Sequence, residues 1–268
     1  FLIREGASAR RKFMDTALCQ LRPRYAAALA EYNRSYEHKT RILRDSEERP
    51  DLLGILPEFN EQLVRYGAVL VYYRNQFAKK LNEYANIHHH ECSGGKEQLD
   101  ICYKTVSSVT NPDADIHQLM QELQQHMDIH QPAERASRMC LSGPHKDDLL
   151  VTIDGREAKQ FASQGQTRTA ALAMKLAERE ILKHYYNQKG KDGFDYAYRY
   201  PGMNKVLQAA GRVIRTTEDR GIILLLDERF LQAEYQGLFP REWNDSKVCN
   251  VDTIEDIVED FWGTSDSL

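Results

Sequence analysis

Phe161-Ala162-Ser163-Gln164-Gly165-Gln166-Thr167-Arg168-Thr169 stands directly before the helix-forming run Ala170 to Tyr186. The reading of this stretch decides how the rest of the chain is understood. Ser163 occupies a helix N-cap position, where its hydroxyl accepts from a backbone N–H two or three residues on. Gly165 permits a sharp turn or a close backbone approach. The unpaired N–H groups of such a helix start point at an anion, with the helix dipole assisting. Arg168 adds a cation one turn in. The arrangement suits a nucleotide phosphate, although on spacing alone an ordinary helix cap is the simpler reading.

Working upstream, Leu149 to Ile153 reads as a strand closed by the hairpin signal Asp154-Gly155, and Leu99 to Val106 alternates loosely as a second strand. Three earlier stretches carry a helical period. The first runs from about Arg10 to Asp45, striped by Leu18, Leu21, Tyr25, Leu29, Tyr32, Tyr36, Ile42 and Leu43, with Pro23 expected to bend it. The second runs from about Glu58 to Ile87, striped by Leu63, Tyr66, Leu70, Tyr73, Phe77, Leu81 and Tyr84. Asp51 to Pro57 connects the two. The third follows Asn111-Pro112 with Ile116, Leu119, Leu123 and Met127, and is expected to stop before Pro132. Two long, Tyr-rich helices with narrow stripes predict an antiparallel arm that packs on a small neighbour and not around a deep core.

Downstream of a loop at Lys189 to Gly193, a second unit is expected. It holds a helix from about Met203 to Arg215, a turn at Asp219-Arg220-Gly221 and an apolar strand, Ile222 to Leu226. In that helix the pattern QxxGRxxR would set Gln208, Arg212 and Arg215 on one face, with Gly211 open to a close neighbour. Two guanidiniums on one face can clamp a polyphosphate or stabilise a transferring phosphoryl group. Ile222 to Leu226 followed by Asp227-Glu228 also has the look of a Walker B strand.

Composition limits the function classes. The 268 residues are 41% hydrophobic and 28% charged, enough for a core and for one or two domains. Acidic residues outnumber basic ones 40 to 36, which excludes a globally basic nucleic-acid coat but not a local patch. Arg10, Arg11 and Lys12, with Arg22 and Arg24, form one such cluster; it reads equally as a contact to DNA phosphates and as a solvated helix face. No apolar run of ~18 residues is present, no secretory signal opens the chain, and the first residue is Phe1, so a portion of something longer is expected. Five widely spaced cysteines without CxxC fit buried or half-buried thiols in a reducing cytoplasm. His88-His89-His90 with Glu91 and Cys92 lacks metal-ligand spacing and reads as a surface helix end, since Ser93-Gly94-Gly95 follows. No metal site is expected. The end after Val251 carries six acidic and no basic residues and reads as solvated.

Two family resemblances sharpen these readings. Ala7-Ser8-Ala9-Arg10-Arg11-Lys12-Phe13-Met14-Asp15 with Leu21-Arg22-Pro23-Arg24-Tyr25, Gly143-Pro144-His145-Lys146-Asp147-Asp148-Leu149, and Ser163 to Thr169 leading into Leu172-Ala173-Met174-Lys175-Leu176-Ala177-Glu178 resemble, in order, three segments of the RecF family. They are the opening of its helical arm, its return to the ATPase head, and its signature motif. The resemblance implies a DNA replication and repair protein of the ABC and SMC-like class, in which two heads sandwich ATP. The signature loop of one head contacts the γ-phosphate held in the other head's P-loop. It implies nucleotide-binding roles for Ser163, Gln164, Gly165, Gln166 and Arg168, and self-association through heads. It further implies a RecR-like partner, gapped DNA bound through its backbone, and a cytoplasmic place in the SOS response to DNA damage. Arg10, Arg11 and Lys12 are the candidate DNA contacts, and His145 could be catalytic but reads better as a hydrogen-bonded residue of the head.

Residues from about 180 onward resemble the C-terminal end of DinG or XPD-like superfamily 2 DNA helicases, on Gln208 to Arg215, Asp219 to Phe230, Leu238-Phe239-Pro240-Arg241-Glu242-Trp243 and Phe261-Trp262. That resemblance implies catalytic roles for Arg212, Arg215 and Gln208 toward ATP held in another lobe. Arg229-Phe230 and the upstream QxxGRxxR belong to the same resemblance, which implies a structural role for Asp227 and Glu228, paired with arginines. The chain departs from RecF in lacking any GxxxxGK(S/T) and in having no Walker B segment soon after Glu180. ATP with Mg is therefore expected only when a P-loop-bearing partner or segment is present. The two resemblances abut near Arg179-Glu180 without a linker, as in a spliced chain. The expected fold is α/β and mostly helical: a helical arm over 1–137, a partial ABC/SMC-like head over 138–180, and a partial RecA-like helicase lobe over 181–268.

Overall fold

The structure is a computed structural model that describes residues 2–105, 108–213, 216 and 219–263. It divides into two compact units, Phe1–Lys191 and Asp192–Leu268.

In the first unit, the expected opening helix is two helices, α1 (Ala7–Leu21) and α2 (Pro23–Asp45). Pro23 does more than bend the chain. It forces the preceding residue out of the helical region, and Arg22 is extended at φ −140°, ψ 99°. The buried positions of α2 are Tyr25, Ala28, Tyr32, Ser35, Lys39, Ile42 and Leu43, a coiled-coil spacing of three and four. Leu29 and Tyr36 of the expected stripe are only half-buried.

The second long helix, α3 (Leu56–Ser93), has 38 residues and is the centre of the unit. It packs against α2, against β1 (Leu99–Lys104), against α4 (Ile116–Ser137) and against α6 (Gln164–Gln188). Its middle, Leu63 to Val71, buries residues well outside one stripe, so the shallow packing expected from the narrow stripe is replaced by a deep core. Gly67 makes this possible: a Cβ there would lie 3.2 Å from Pro144 Cδ and 3.3 Å from Tyr32 Cε2.

Helix α4 does not stop before Pro132 but runs through it to Ser137. The buried Glu134 holds the last turn, pairing with Lys39 Nζ at 2.6 Å and accepting from Leu141 N at 2.7 Å.

Both expected strands form. β1 pairs antiparallel with β2 (Asp148–Ile153), in register from Leu99 opposite Ile153 to Lys104 opposite Asp148. Leu99, Ile101 and Tyr103 share a buried face with Leu149, Val151 and Ile153. The hairpin to β3 (Arg156–Glu157) turns on Asp154 and Gly155, both at positive φ. A short helix, α5 (Ala158–Phe161), then delivers the chain to α6.

The second unit has a thin core, and its regular elements are short. A wide helical turn at Asp195–Arg199 leads into α7 (Tyr200–Ala210), which buries Met203 and Ala210. The helix expected to reach Arg215 ends at Ala210, with Gly211 as its cap, and residues 214 and 215 lie outside the described residues. Ile222 to Leu226 is not a strand; among the described residues it pairs with no other strand, and Leu226 is 89% exposed. A lone extended segment has no ladder to join. Two more helices follow, α8 (Ala233–Gln236) and α9 (Ile254–Gly263). Among the described residues no helix is long and apolar enough to cross a membrane.

Candidate functional site

The turn before α6 is built as a closed capping box. Ser163 is extended at φ −63°, ψ 169°, and its Oγ accepts from Gln166 N at 3.2 Å. In return Gln166 Oε1 accepts from Ser163 N at 2.9 Å, and Thr167 Oγ1 donates to Ser163 O at 2.7 Å. The box satisfies the N–H groups of Ser163 and Gln166 and leaves those of Gln164 and Gly165 without a hydrogen bond among the described residues. Ser163, Gln164, Gly165 and Arg168 are exposed. Arg4 donates to Ala162 O at 3.1 Å, and a shallow depression is lined by Arg4, Gln164, Thr167 and Arg168. Two open N–H donors, the helix dipole and two nearby guanidiniums form an anion-facing surface.

The Gly143 to Leu149 segment is a stitch between the bundle and the sheet. Arg74, on α3 and 3% exposed, binds Asp15 through Nε and Nη2, both at 2.9 Å, and donates to Pro144 O at 2.8 Å. Tyr25 OH donates to the same Asp15 at 2.5 Å. Tyr32 OH lies 2.7 Å from His145 Nδ1, and the Tyr36 ring packs on the imidazole. Burial, with help from Lys146, Arg11 and Lys39, pushes the His145 imidazole down to about 4, so the ring is neutral near pH 7. Tyr103 OH donates to Asp147. His145 is thus a hydrogen-bonded structural residue, as the sequence indicated. Arg74, the hub of the network, was not singled out in the sequence: an arginine inside an apolar helix stripe carries no motif.

The basic cluster of α1 divides by environment. Arg10 is 4% exposed and grips Asp148 with two bonds of 2.7 Å, while its Nη1 donates to Ile3 O and Glu5 O. Arg11 donates to Asp147 O at 2.7 Å, and burial and the nearby Arg74 lower its pKa. Lys12 alone of the three is exposed.

In the second unit, Gln208 lies near the end of α7, whereas Arg212 sits past the cap, its N–H donating to Ala209 O at 3.2 Å. Arg212 therefore lies beyond the end of the helix expected to carry it, and Arg215 lies outside the described residues. Asp227 is paired with Arg229 through bonds of 3.0 and 2.6 Å, which hold its carboxyl down to about 2, in line with a structural acid. Helix α3 does end at Ser93 with Gly94 in the left-handed region, but His89 of the triplet is buried and not at the surface. Among the described residues no three His, Cys, Asp or Glu side chains cluster as metal ligands. The five cysteines are free, but only Cys140 is buried and Cys19 half-buried; Cys92, Cys102 and Cys249 are exposed, against the expected burial.

Comparison with known proteins gives two matches. The helicase C-terminal domain family matches residues 173–246. The DNA replication and repair protein RecF of Agathobacter rectalis is 35% identical over 189 residues, covering 69% of this chain and 48% of the relative. RecF of Enterococcus faecalis is 33% identical over 182 residues, covering 68% of this chain and 48% of its own length. Among solved structures, the recombination mediator protein RecF with ATP, described as part of the RecFOR pathway, superposes with a TM-score of 0.65 at 29% identity. That superposition covers 71% of this chain and 50% of the other. The chain therefore spans about half the length of the curated relatives it matches. The family match at 173–246 begins inside α6, which runs unbroken from Gln164 to Gln188 across both resemblances. Residues 1 to about 180 are thus similar in sequence and in fold to about half of RecF, and a segment similar to a helicase C-terminal domain follows.

Proposed function

We propose that this chain acts as the arm and signature portion of a RecF-type DNA-repair ATPase. Its Ser163 turn senses the γ-phosphate of ATP, with Mg, held in the P-loop of a second head. The observation that supports this most is the turn itself: locked by a capping box, exposed, with two unused N–H donors and Arg4 and Arg168 beside it. Ser163, Gln164, Gly165, Gln166 and Arg168 are the residues committed to that role. ATP-driven pairing of heads then clamps the protein on the backbone of gapped DNA, with Lys12 the exposed member of the α1 cluster, and a RecR-like mediator joins in the cytoplasm.

A second reading draws on the match at residues 173–246. In it the C-terminal part supplies Gln208, Arg212 and Arg215 to ATP hydrolysis by a helicase lobe. One set of measurements separates the two. The purified chain alone is expected to show no ATP turnover. Adding a RecF protein that carries its own P-loop is expected to give ATP-dependent association, lost in Ser163→Arg with far-UV circular dichroism unchanged. Metal-dependent turnover by the chain alone, abolished by Arg212→Ala, would reject the first reading in favour of the second.

A further inference from the structure

Helix α3 ends at Ser93, and Gly94 and Gly95 follow with φ of 63° and 73°. This left-handed pair, easy only for glycine, reverses the chain and returns Glu97 to the last turns of α3. There His89 is fully buried, and its Nε2 lies 3.2 Å from Glu97 Oε2. Neither ring nitrogen of His89 has a hydrogen-bond partner, so the Glu97 carboxylate is the polar group it faces. The other oxygen of Glu97 accepts from Gln166 Nε2 at 3.0 Å. Gln166 is the residue whose Oε1 closes the capping box on Ser163 N. A continuous polar path therefore runs from the buried end of α3, through Glu97 and Gln166, to the turn that presents the Gln164 and Gly165 N–H groups.

We propose that Glu97 is a positioning residue of the Ser163 turn: braced by the buried His89 imidazole, it holds Gln166 in the rotamer that closes the capping box. The end of α3 thereby sets the direction of the two open N–H donors. Both ends of the Gln166 amide are engaged, its oxygen by Ser163 N and its nitrogen by Glu97. A long, half-exposed glutamine held at one end only keeps much of its rotamer freedom; held at both, it loses it. Glu97 has no contact with the expected phosphate and acts only through Gln166. That this direction matters for a nucleotide phosphate rests on the functional reading above.

Glu97 is 23% exposed, so its substitution is compatible with folding. The test is amide hydrogen exchange on the full chain, resolved at Ser163 and Gln166, with Ala173 and Ala177 in the middle of α6 as internal controls. Glu97→Ala is expected to speed exchange at the first two amides about tenfold, the scale of one hydrogen bond to a charged group, and to leave the controls alone. Glu97→Gln keeps an acceptor for Gln166 Nε2 and is expected to stay within about twofold of the parent chain. Unchanged exchange in the Ala variant, or equal acceleration in both variants, would overturn the assignment. The same proteins are then paired with a P-loop-bearing RecF in the presence of a non-hydrolysable ATP analogue. Weakening by about tenfold in the Ala variant, with rescue by Gln, supports the link to nucleotide sensing. Equal pairing by the parent and Ala chains would break that link. Failure of the parent chain to pair at all would remove the phosphate reading, and the exchange result would still decide the role of Glu97.

Discussion

Replacing Arg10 by methionine tests whether the RecF-like RRK cluster holds DNA or holds the fold. The guanidinium makes two 2.7 Å bonds to Asp148 and donates to the carbonyls of Ile3 and Glu5, at 4% exposure. Removing one partner of a buried ion pair costs about 3–5 kcal/mol. Asp148 keeps 28% of its side chain in water and can rehydrate, so the low end, about 3 kcal/mol, applies. With a urea m-value of about 2 kcal/mol/M, the midpoint of the first unit should fall by roughly 1.5 M. Far-UV circular dichroism is the correct probe, because Trp243 and Trp262 both lie in the second unit and would report on it instead. Lys12→Ala, at an exposed position, should leave the midpoint within about 0.5 kcal/mol of the parent. If Lys12 meets a phosphate, its loss should reduce the slope of log affinity against log salt by about 0.9 on gapped DNA. Arg10→Met, assayed where it is still folded, should leave that slope alone. An Arg10→Met protein with a normal midpoint and a reduced salt slope would refute this division of roles.

Gly143 has φ 128° and ψ 170°, a conformation open essentially to glycine alone, and a Cβ there would clash with the Tyr32 hydroxyl. Gly143→Ala should therefore cost about 3 kcal/mol by urea denaturation, and a loss below 1 kcal/mol would mean that the stitch is more pliant than described. For His145 the folded pKa of about 4 lies below the unfolded value, so the unfolded chain binds the proton first and stability is complete above about pH 6.5. As pH falls from there to about 4, up to about 3 kcal/mol should drain away, partly shared with His126, whose pKa burial also lowers. His145→Gln should flatten the stability profile across that window, and an undiminished slope would assign it to other groups.

The parts of the fold legible in the sequence were those set by local chemistry. Ser163 with Gln166 three residues on is a complete capping box, and Asp154-Gly155 supplies the positive φ that its hairpin needs. Both act within four residues, and both stand where they were read. The helical stripes marked where helices lie but not how deeply they are buried. Leu63 to Tyr84 read as one narrow face, yet α3 is the hub of the first unit because Gly67, Ala68 and Ala78 admit neighbours on its other sides. Pro132 read as a stop, yet α4 runs on to Ser137, and its Glu134 meets Lys39, ninety-five positions away in the chain. The second unit departed most. Gly211 sits where a helix can cap, and α7 ends there; Ile222 to Leu226 has the composition of a strand but no neighbour to pair with among the described residues.

The Ser163 turn shows the same division between local and long-range information. Its donors could be read from Ser163 to Arg168, because a helix start presents its first N–H groups whatever surrounds it. Its support could not. His89 stood in a triplet that invited either a metal or a solvated helix end, and Glu97 stood in a loop with no pattern at all. They become partners only because Gly94 and Gly95 fold the loop back on α3, and because α6 brings Gln166 to the same place. The His89 imidazole is buried with no hydrogen-bond partner, and the carboxylate closest to it, that of Glu97, also accepts from Gln166. The Ser163 turn and the Glu97 proposed to aim it are thus separated by some seventy positions in sequence and by two hydrogen bonds in space. Substitutions at Glu97 should therefore change how the Ser163 turn responds while leaving every residue of the turn in place.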